Sequence, residues 1–382
     1  MPPPGPLDGI RVLDLTQIVA GPLCGRVLAD LGADVVKVES PAGDMARGVP
    51  PIVDGIGALY AHMNAGKRSV CIDIRAPGGA GLVAGLAEHS DVLLENFRPA
   101  ALNGRGLGYD QLRVRNPRLV YCSISGFGQD GPWVDRKGHA PRLHAEGGTI
   151  ETAARLRRAA PVTEVQQQAD FYSGCLAVGA VCAALYQRER TGEGQHLDVA
   201  IAEALVYASD HTAIDLLRYD GPREFDSWTY PIVSLASGEA VCLFGNPLRQ
   251  FGTWMAALGG DDGGPPPTDE DAGERVRRAA AARFATAKEL QDALEAHGIG
   301  SGLVQPVTAL AESEWALTRG LLVEAAPGVR VPAAPWRSSG APIGTTRPAA
   351  LLGAHTAEVL TERLGLSEAE VARLAGEAVV GL

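Results

Sequence analysis

The chain has 382 residues, enough for two or three cores, and its 46 % hydrophobic and 21 % charged residues give an ordinary globular balance. Its 34 basic and 45 acidic side chains leave a formal charge of −11, which excludes nucleic acid and an anionic membrane as principal partners, because both are met with basic surfaces. A small anionic ligand remains admissible where Arg, Lys or backbone N–H groups gather locally.

The opening MPPPGPLDGI has no charged stretch followed by an apolar run, so no signal peptide is expected. No uninterrupted apolar stretch is read as long enough to span a bilayer, and a cytoplasmic protein is the expectation. Ile10–Leu15 (IRVLDL) predicts a strand. Gly21–Leu31 has helical spacing of Leu23, Val27, Leu28 and Leu31, and VVKVE follows as a second strand. This βαβ order implies a parallel pair with a right-handed crossover. The pattern repeats through SVCIDI, the helical GGAGLVAGLAEH, DVLLENF and LVYCSIS. Strands alternating with helices predict an α/β fold with a doubly wound open parallel sheet, which binds ligands at the carboxyl ends of its strands.

A long helix is predicted from about Asp170 to Arg190, closed by the turn signal TGEG, and HLDVAIAEALVYAS reads as a strand passing into a helix. The next part differs in character. YPIVSL, AVCLFG, the helix-like QFGTWMAALG, the surface loop GGDDGGPPPTDED and one charged helix over 274–297 suggest a smaller α+β domain. Beyond Ala350 the chain is helical again and is expected to return to the first domain. The six cysteines include no CxxC pair and no histidine at finger spacing, so neither a zinc site nor a disulfide framework is expected.

Gly126–Gly131 (GFGQDG) has the form GxGxxG after a strand. A dinucleotide site needs a helix to open at the third glycine, and here Pro132 and WVDRKG follow without apolar helical period. The alternatives are a glycine loop at a strand end, or a loop that lets backbone come close to a substrate.

Several runs occur in one order: LDGIRVLDLTQIVAGPLCGRVLADLGADVVKVESPAGD, NAGKRSVCIDI, DVLLENFRP, GLGYDQL, NPRLVYCSISGFGQDGP, ADFYSG, RTGEGQHLDVAI and LLGAHTAEVL. Together they resemble the family III coenzyme A transferases, the CaiB/BaiF group that includes the α-methylacyl-CoA racemases. The resemblance covers nearly the whole chain. It implies a large α/β domain that binds CoA over residues 1–215, a small α+β domain over 225–325, and a C-terminal segment over 330–382 that returns to the large domain. It also implies an interlocked homodimer. Acyl-CoA and a carboxylic acid are the implied partners, with CoA as substrate and no tightly bound cofactor or metal.

By residues alone, Asp170 reads as a helix N-cap; by resemblance it is the catalytic aspartate. A carboxylate there can attack a thioester, form a mixed anhydride and then an aspartyl-CoA thioester. A helix N-terminus would favour its ionised form. The resemblance places Gln17 and Ala20 near CoA and the active site, and Lys37, Arg98, Asn64, Lys67 and Arg68 near its phosphates. Asn96, Arg136 and Lys137 are further CoA contacts by the same resemblance. For each cation the plain alternative is a solvated charge. His139 matches the histidine with which the racemase branch pairs its aspartate as acid and base. Ala140 follows it where that branch has Asp, and Phe244–Phe251, with Asn246, holds no acid where that branch carries Glu. These departures favour acyl-CoA:carboxylate CoA transfer. A 2-methylacyl-CoA racemase and a non-catalytic CoA-thioester binder are the other readings. Substrate-lining residues are expected within Ser227–Ser234 and Phe244–Phe251.

Overall fold

The computed structural model describes residues 4–216, 230–260, 263–268, 271–345 and 347–382. The chain divides into two units, one comprising 1–147, 164–212 and 319–382, the other 148–163 and 213–318. Within the expected substrate segment Ser227–Ser234, residues 227–229 lie outside the described residues, as do 261–262 and 269–270 of the Gly/Pro/acidic stretch.

The first unit is built on a seven-stranded sheet in the order Val380–Gly381, Arg68–Ile72, Asp34–Glu39, Arg11–Asp14, Val92–Glu95, Val120–Ser125 and His196–Ala200. All pairings are parallel except that of Val380–Gly381. Successive side chains alternate between two buried faces, which is why these strands read as nearly continuous apolar runs. Leu13, Val36, Val70 and Leu93 meet Val83 and Leu86 of the Gly79–Glu88 helix, together with Val359, Leu360 and Leu374. Val12, Val35, Val92, Leu94 and Val120 meet Cys24 and Leu28 of Ala20–Asp30, and Ala177 and Val181 of Gln168–Thr191. An α/β fold with a largely parallel central sheet is therefore present.

The Gln168–Thr191 helix corrects one expectation. By length and composition it could cross a membrane. Its Ala169, Ser173, Gly174, Ala177, Val181, Ala184 and Leu185 are instead buried within the unit. Small residues allow this close approach: a Cβ on Gly174 would lie 2.6 Å from the carbonyl oxygen of Ala20.

The second unit holds a three-stranded antiparallel sheet in the order Ser301–Leu303, Ala240–Leu243, Ile232–Ser234. Val233, Val241 and Leu243 pack against Trp254, Val276, Leu290 and Leu294. The single charged helix expected over 274–297 is two helices, Ala272–Arg283 and Ala287–Glu295. Thr286 and Glu289 form a capping box that starts the second afresh.

Candidate active site

The sheet order reverses at Arg11–Asp14, which lies between Asp34–Glu39 and Val92–Glu95. Chains leaving two neighbouring strands in opposite directions open a crevice beyond their carboxyl ends. A cavity of about 330 Å³ occupies it. Its wall takes Gln17, Ile18 and Val19 from beyond the first strand, Asn96–Pro99 from beyond Val92–Glu95, and Ser125 and Gly126 from the end of Val120–Ser125. Arg136, Lys137, His139, Gln167 and Asp170 complete its polar lining.

Asp170 is the third residue of the Gln168–Thr191 helix, and Gln167 occupies the N-cap. The N-cap reading of Asp170 is thus corrected: its carboxyl lies inside the first turn and faces the cavity. Burial pushes its pKa up to about 6, and the hydrogen bond from its own backbone N–H offsets this only in part. Desolvation is thus the larger of the two effects on this carboxyl. The group remains mostly ionised at neutral pH while losing much of the water that would blunt a nucleophile.

The loop between Gly126 and His139 brings the positive charge. A Cβ on Gly126 would lie 2.4 Å from the Cα of Gly138, and a Cβ on Gly138 would lie 2.2 Å from the Cα of Gly126. The two glycines cross backbone to backbone and fix where the loop leaves and returns. The GFGQDG run thus serves contact with the protein's own chain at its first glycine. Its second, Gly128, needs the left-handed region at φ +90°. Arg136 stacks on Trp133 at 4.2 Å and pairs with Glu146 at 3.1 Å. Lys137 and His139 are exposed on the same wall. Arg98 is exposed there too and forms no ion pair among the described residues.

Gln17 is held from across the sheet. Its backbone N–H donates to Oδ1 of Asn96, and Nδ2 of Asn96 donates back to its carbonyl, both at 2.8 Å. The flanking residues are held as firmly. Thr16 N–H donates to Asp14 at 2.9 Å, Lys37 Nζ donates to the Thr16 carbonyl at 2.7 Å, and Ile18 N–H donates to Asp44 at 3.0 Å. Ile18 has φ 71°, a conformation that costs a β-branched residue about 1–3 kcal/mol. The side chains of Asp14, Lys37, Asp44 and Asn96 hold this turn against that strain.

The surroundings of several sequence-derived candidates differ from those of the cavity wall. Lys37 is fully buried and pairs with Asp44 at 3.0 Å. Lys67 is buried against Asp14 at 2.7 Å and also donates to Asn64. Burial pulls Asp14 upward, but Lys67 and Lys37 outweigh it and hold the carboxyl below its usual range. Arg68 is spent on Asp34, Glu358 and Glu362. Ala20 is buried as the first residue of its helix. None of Ala20, Lys37, Asn64, Lys67 and Arg68 lines the cavity. Of the cations expected near phosphate, Lys37, Lys67 and Arg68 are paired with acids within the fold, whereas Arg98 is exposed at the cavity. Gln17, Asn96, Arg98, Arg136, Lys137, His139 and Asp170 do come together there.

A second cavity of about 420 Å³ shares Gln17 and Phe97 with the first and carries Arg75 and Arg105. Neither arginine is among the sequence-derived candidates. The signal was available: Arg75 follows the SVCIDI strand as Arg98 follows DVLLENF. Glu95, buried beneath the Asn96–Arg98 turn, was also missed; burial pushes its pKa up to about 7, and its carboxyl accepts from Phe97 N–H at 2.8 Å. In the second unit, Asn246 caps its own turn, accepting from Leu248 and Arg249 N–H. Among the described residues no group of three His, Cys, Asp or Glu side chains is placed to hold a metal ion.

The profile described as CoA-transferase family III matches residues 7–356. The succinate–glutarate CoA-transferase of Agrobacterium fabrum is 33 % identical, over 94 % of this chain and 95 % of its own. The succinyl-CoA:glutarate CoA-transferase of Mus musculus is 31 % identical over 98 % of this chain and 90 % of its own. The crystal structure of a CAIB/BAIF family protein from Brucella suis superposes with a TM-score of 0.83 at 30 % identity, covering 94 % of this chain and all of that one. A profile match over most of the chain, relatives similar along their whole length and a shared fold agree: this protein is an enzyme of the CoA-transferase family III.

Proposed function

We propose that the protein is an acyl-CoA:dicarboxylate CoA-transferase that works through Asp170. The observation that carries this reading is the placement of a desolvated carboxyl, with pKa about 6, in a cavity whose other charged side chains include Arg98, Arg136 and Lys137. Asp170 attacks the thioester carbonyl and releases CoA thiolate, leaving an acyl–aspartyl anhydride. The thiolate then attacks the aspartyl carbonyl, giving aspartyl-CoA and the free acid. An acceptor carboxylate repeats the exchange in reverse. Each step replaces one hard transfer by easier ones. The cations of the wall attract carboxylates, and the relatives named for succinate and glutarate make a dicarboxylic acid the class to test first.

The two cavities, which share Gln17 and Phe97 in their walls, suit a long ligand, with the nucleotide end of CoA toward Arg75 and Arg105 and the thioester toward Asp170. CoA is then a substrate bound in the large unit. A second copy of the chain is the proposed partner. Leu176, Tyr186 and Tyr207 are 40 %, 68 % and 82 % exposed on the Gln168–Thr191 and Ile201–Tyr207 helices, an apolar surface that a homodimer would cover. Sedimentation at micromolar concentration should give twice the chain mass; a persistent monomer refutes it.

The test of function is incubation with succinyl-CoA and a panel of carboxylic acids in deuterated water, read by mass spectrometry. A new CoA ester, absent with Asp170→Ala, is the expected result. His139 lies on the same wall and supports a second reading, proton transfer beside the thioester. One deuteron gained by the acyl chain without transfer would establish that reading instead.

A further inference from the structure

Ser125 ends the Val120–Ser125 strand and lines the cavity that contains Asp170. It is only 6 % exposed, and its Oγ has no hydrogen-bond partner among the described residues. A buried hydroxyl left unpaired costs stability that alanine would not, so a sequence that keeps it there calls for a use. Its position is well fixed. The strand pairs Ser125 with Ala200, and the next residue, Gly126, is locked against Gly138. The Asn96 amide at the end of the neighbouring strand is already engaged, because its Nδ2 is bonded to the Gln17 carbonyl.

We propose that Ser125 is a further catalytic residue, whose Oγ–H donates to the thioester carbonyl oxygen as it becomes an oxyanion. This rests on the reading of Asp170 as the nucleophile. When an Asp170 oxygen bonds to the carbonyl carbon, the π pair moves onto the carbonyl oxygen, and the Ser125 hydroxyl stabilises it without giving up its proton. Collapse restores the C=O bond, breaks the C–S bond and sends that electron pair to CoA sulfur. A fixed donor aimed at developing charge is worth most in a site largely shielded from water.

Ser125→Ala should lower kcat for CoA transfer about a hundredfold, with KM for acyl-CoA within about threefold. Its melting temperature should stay level or rise, since an unpartnered hydroxyl is removed; a purely structural serine would show the opposite split. Ser125→Thr keeps the hydroxyl and should retain more activity, and Ser125→Cys, a weak donor of similar size, should fall between. Binding gives a second readout. Succinyl-CoA labelled with 13C at the thioester carbonyl, bound to Asp170→Asn, should show a downfield carbonyl resonance that moves back toward the free value when Ser125→Ala is added. A kcat within threefold of wild type, or a resonance indifferent to the hydroxyl, overturns the proposal. Absence of transfer by the wild type, or transfer surviving in Asp170→Asn, would instead overturn the nucleophile reading, and the carbonyl resonance would still decide for or against Ser125.

Discussion

Replacing Asp170 by Asn separates what the carboxyl does for the reaction from what it costs the fold. Its pKa is about 6 in the folded protein against an ordinary 3.8. Above both values the carboxyl is ionised folded or unfolded, and the folded state carries the full burial penalty, about 3 kcal/mol at 1.36 kcal/mol per pH unit. As pH falls through 6 toward 3.8 the folded state takes up the proton first, so the penalty shrinks, to about 1 kcal/mol at pH 4.5. Asparagine never ionises. Asp170→Asn should therefore be more stable than wild type by up to about 3 kcal/mol at pH 8, and the gap should narrow to about 1 kcal/mol at pH 4.5. Urea denaturation of both proteins at the two pH values measures this. In parallel, kcat/KM of the wild type should fall about tenfold between pH 7 and pH 5, as the ionised fraction drops from about nine-tenths to about one-tenth. A stability gap of zero at pH 8, or one independent of pH, would refute the desolvated carboxyl; CoA transfer retained by the variant would refute its role as nucleophile.

Other outcomes follow from the same geometry. Gly138→Ala drives a methyl into the Gly126 backbone and should displace Arg136, Lys137 and His139, weakening acyl-CoA binding at least tenfold in a calorimetric titration. Lys67→Met leaves Asp14 buried without its partner and should cost about 3–5 kcal/mol, seen as a large fall in melting temperature. Arg98→Ala, which removes an exposed cation from the cavity wall, should change stability by less than about 0.5 kcal/mol while raising KM for acyl-CoA or the acceptor acid.

The sheet was legible because both its faces are buried: runs such as IRVLDL and LVYCSIS are apolar at successive positions, and helical spacing separates them. The reversal at the first strand then placed Gln17, Asn96 and Arg98 at the ligand edge. Charge was less legible. From the sequence Lys37 is a lone cation within a strand and Lys67 one just before a strand, while Asp44 and Asp14, which neutralise them, become their neighbours only in the fold. Gly126 announced a close backbone approach but not that Gly138 was on the other side. Ile18 gave no sign at all, because nothing in a β-branched residue predicts φ 71°.

The turn at Thr16–Ile18 has a consequence for how such a site can be inherited or transplanted. Its shape is specified less by its own three residues than by Asp14, Lys37, Asp44 and Asn96, which hold its backbone from outside. Moving the loop alone into another scaffold would carry the letters without the instructions. Conversely, the Gln17 side chain can be exchanged while the path of the main chain is kept, so this wall of the cavity can change its chemistry without changing its geometry.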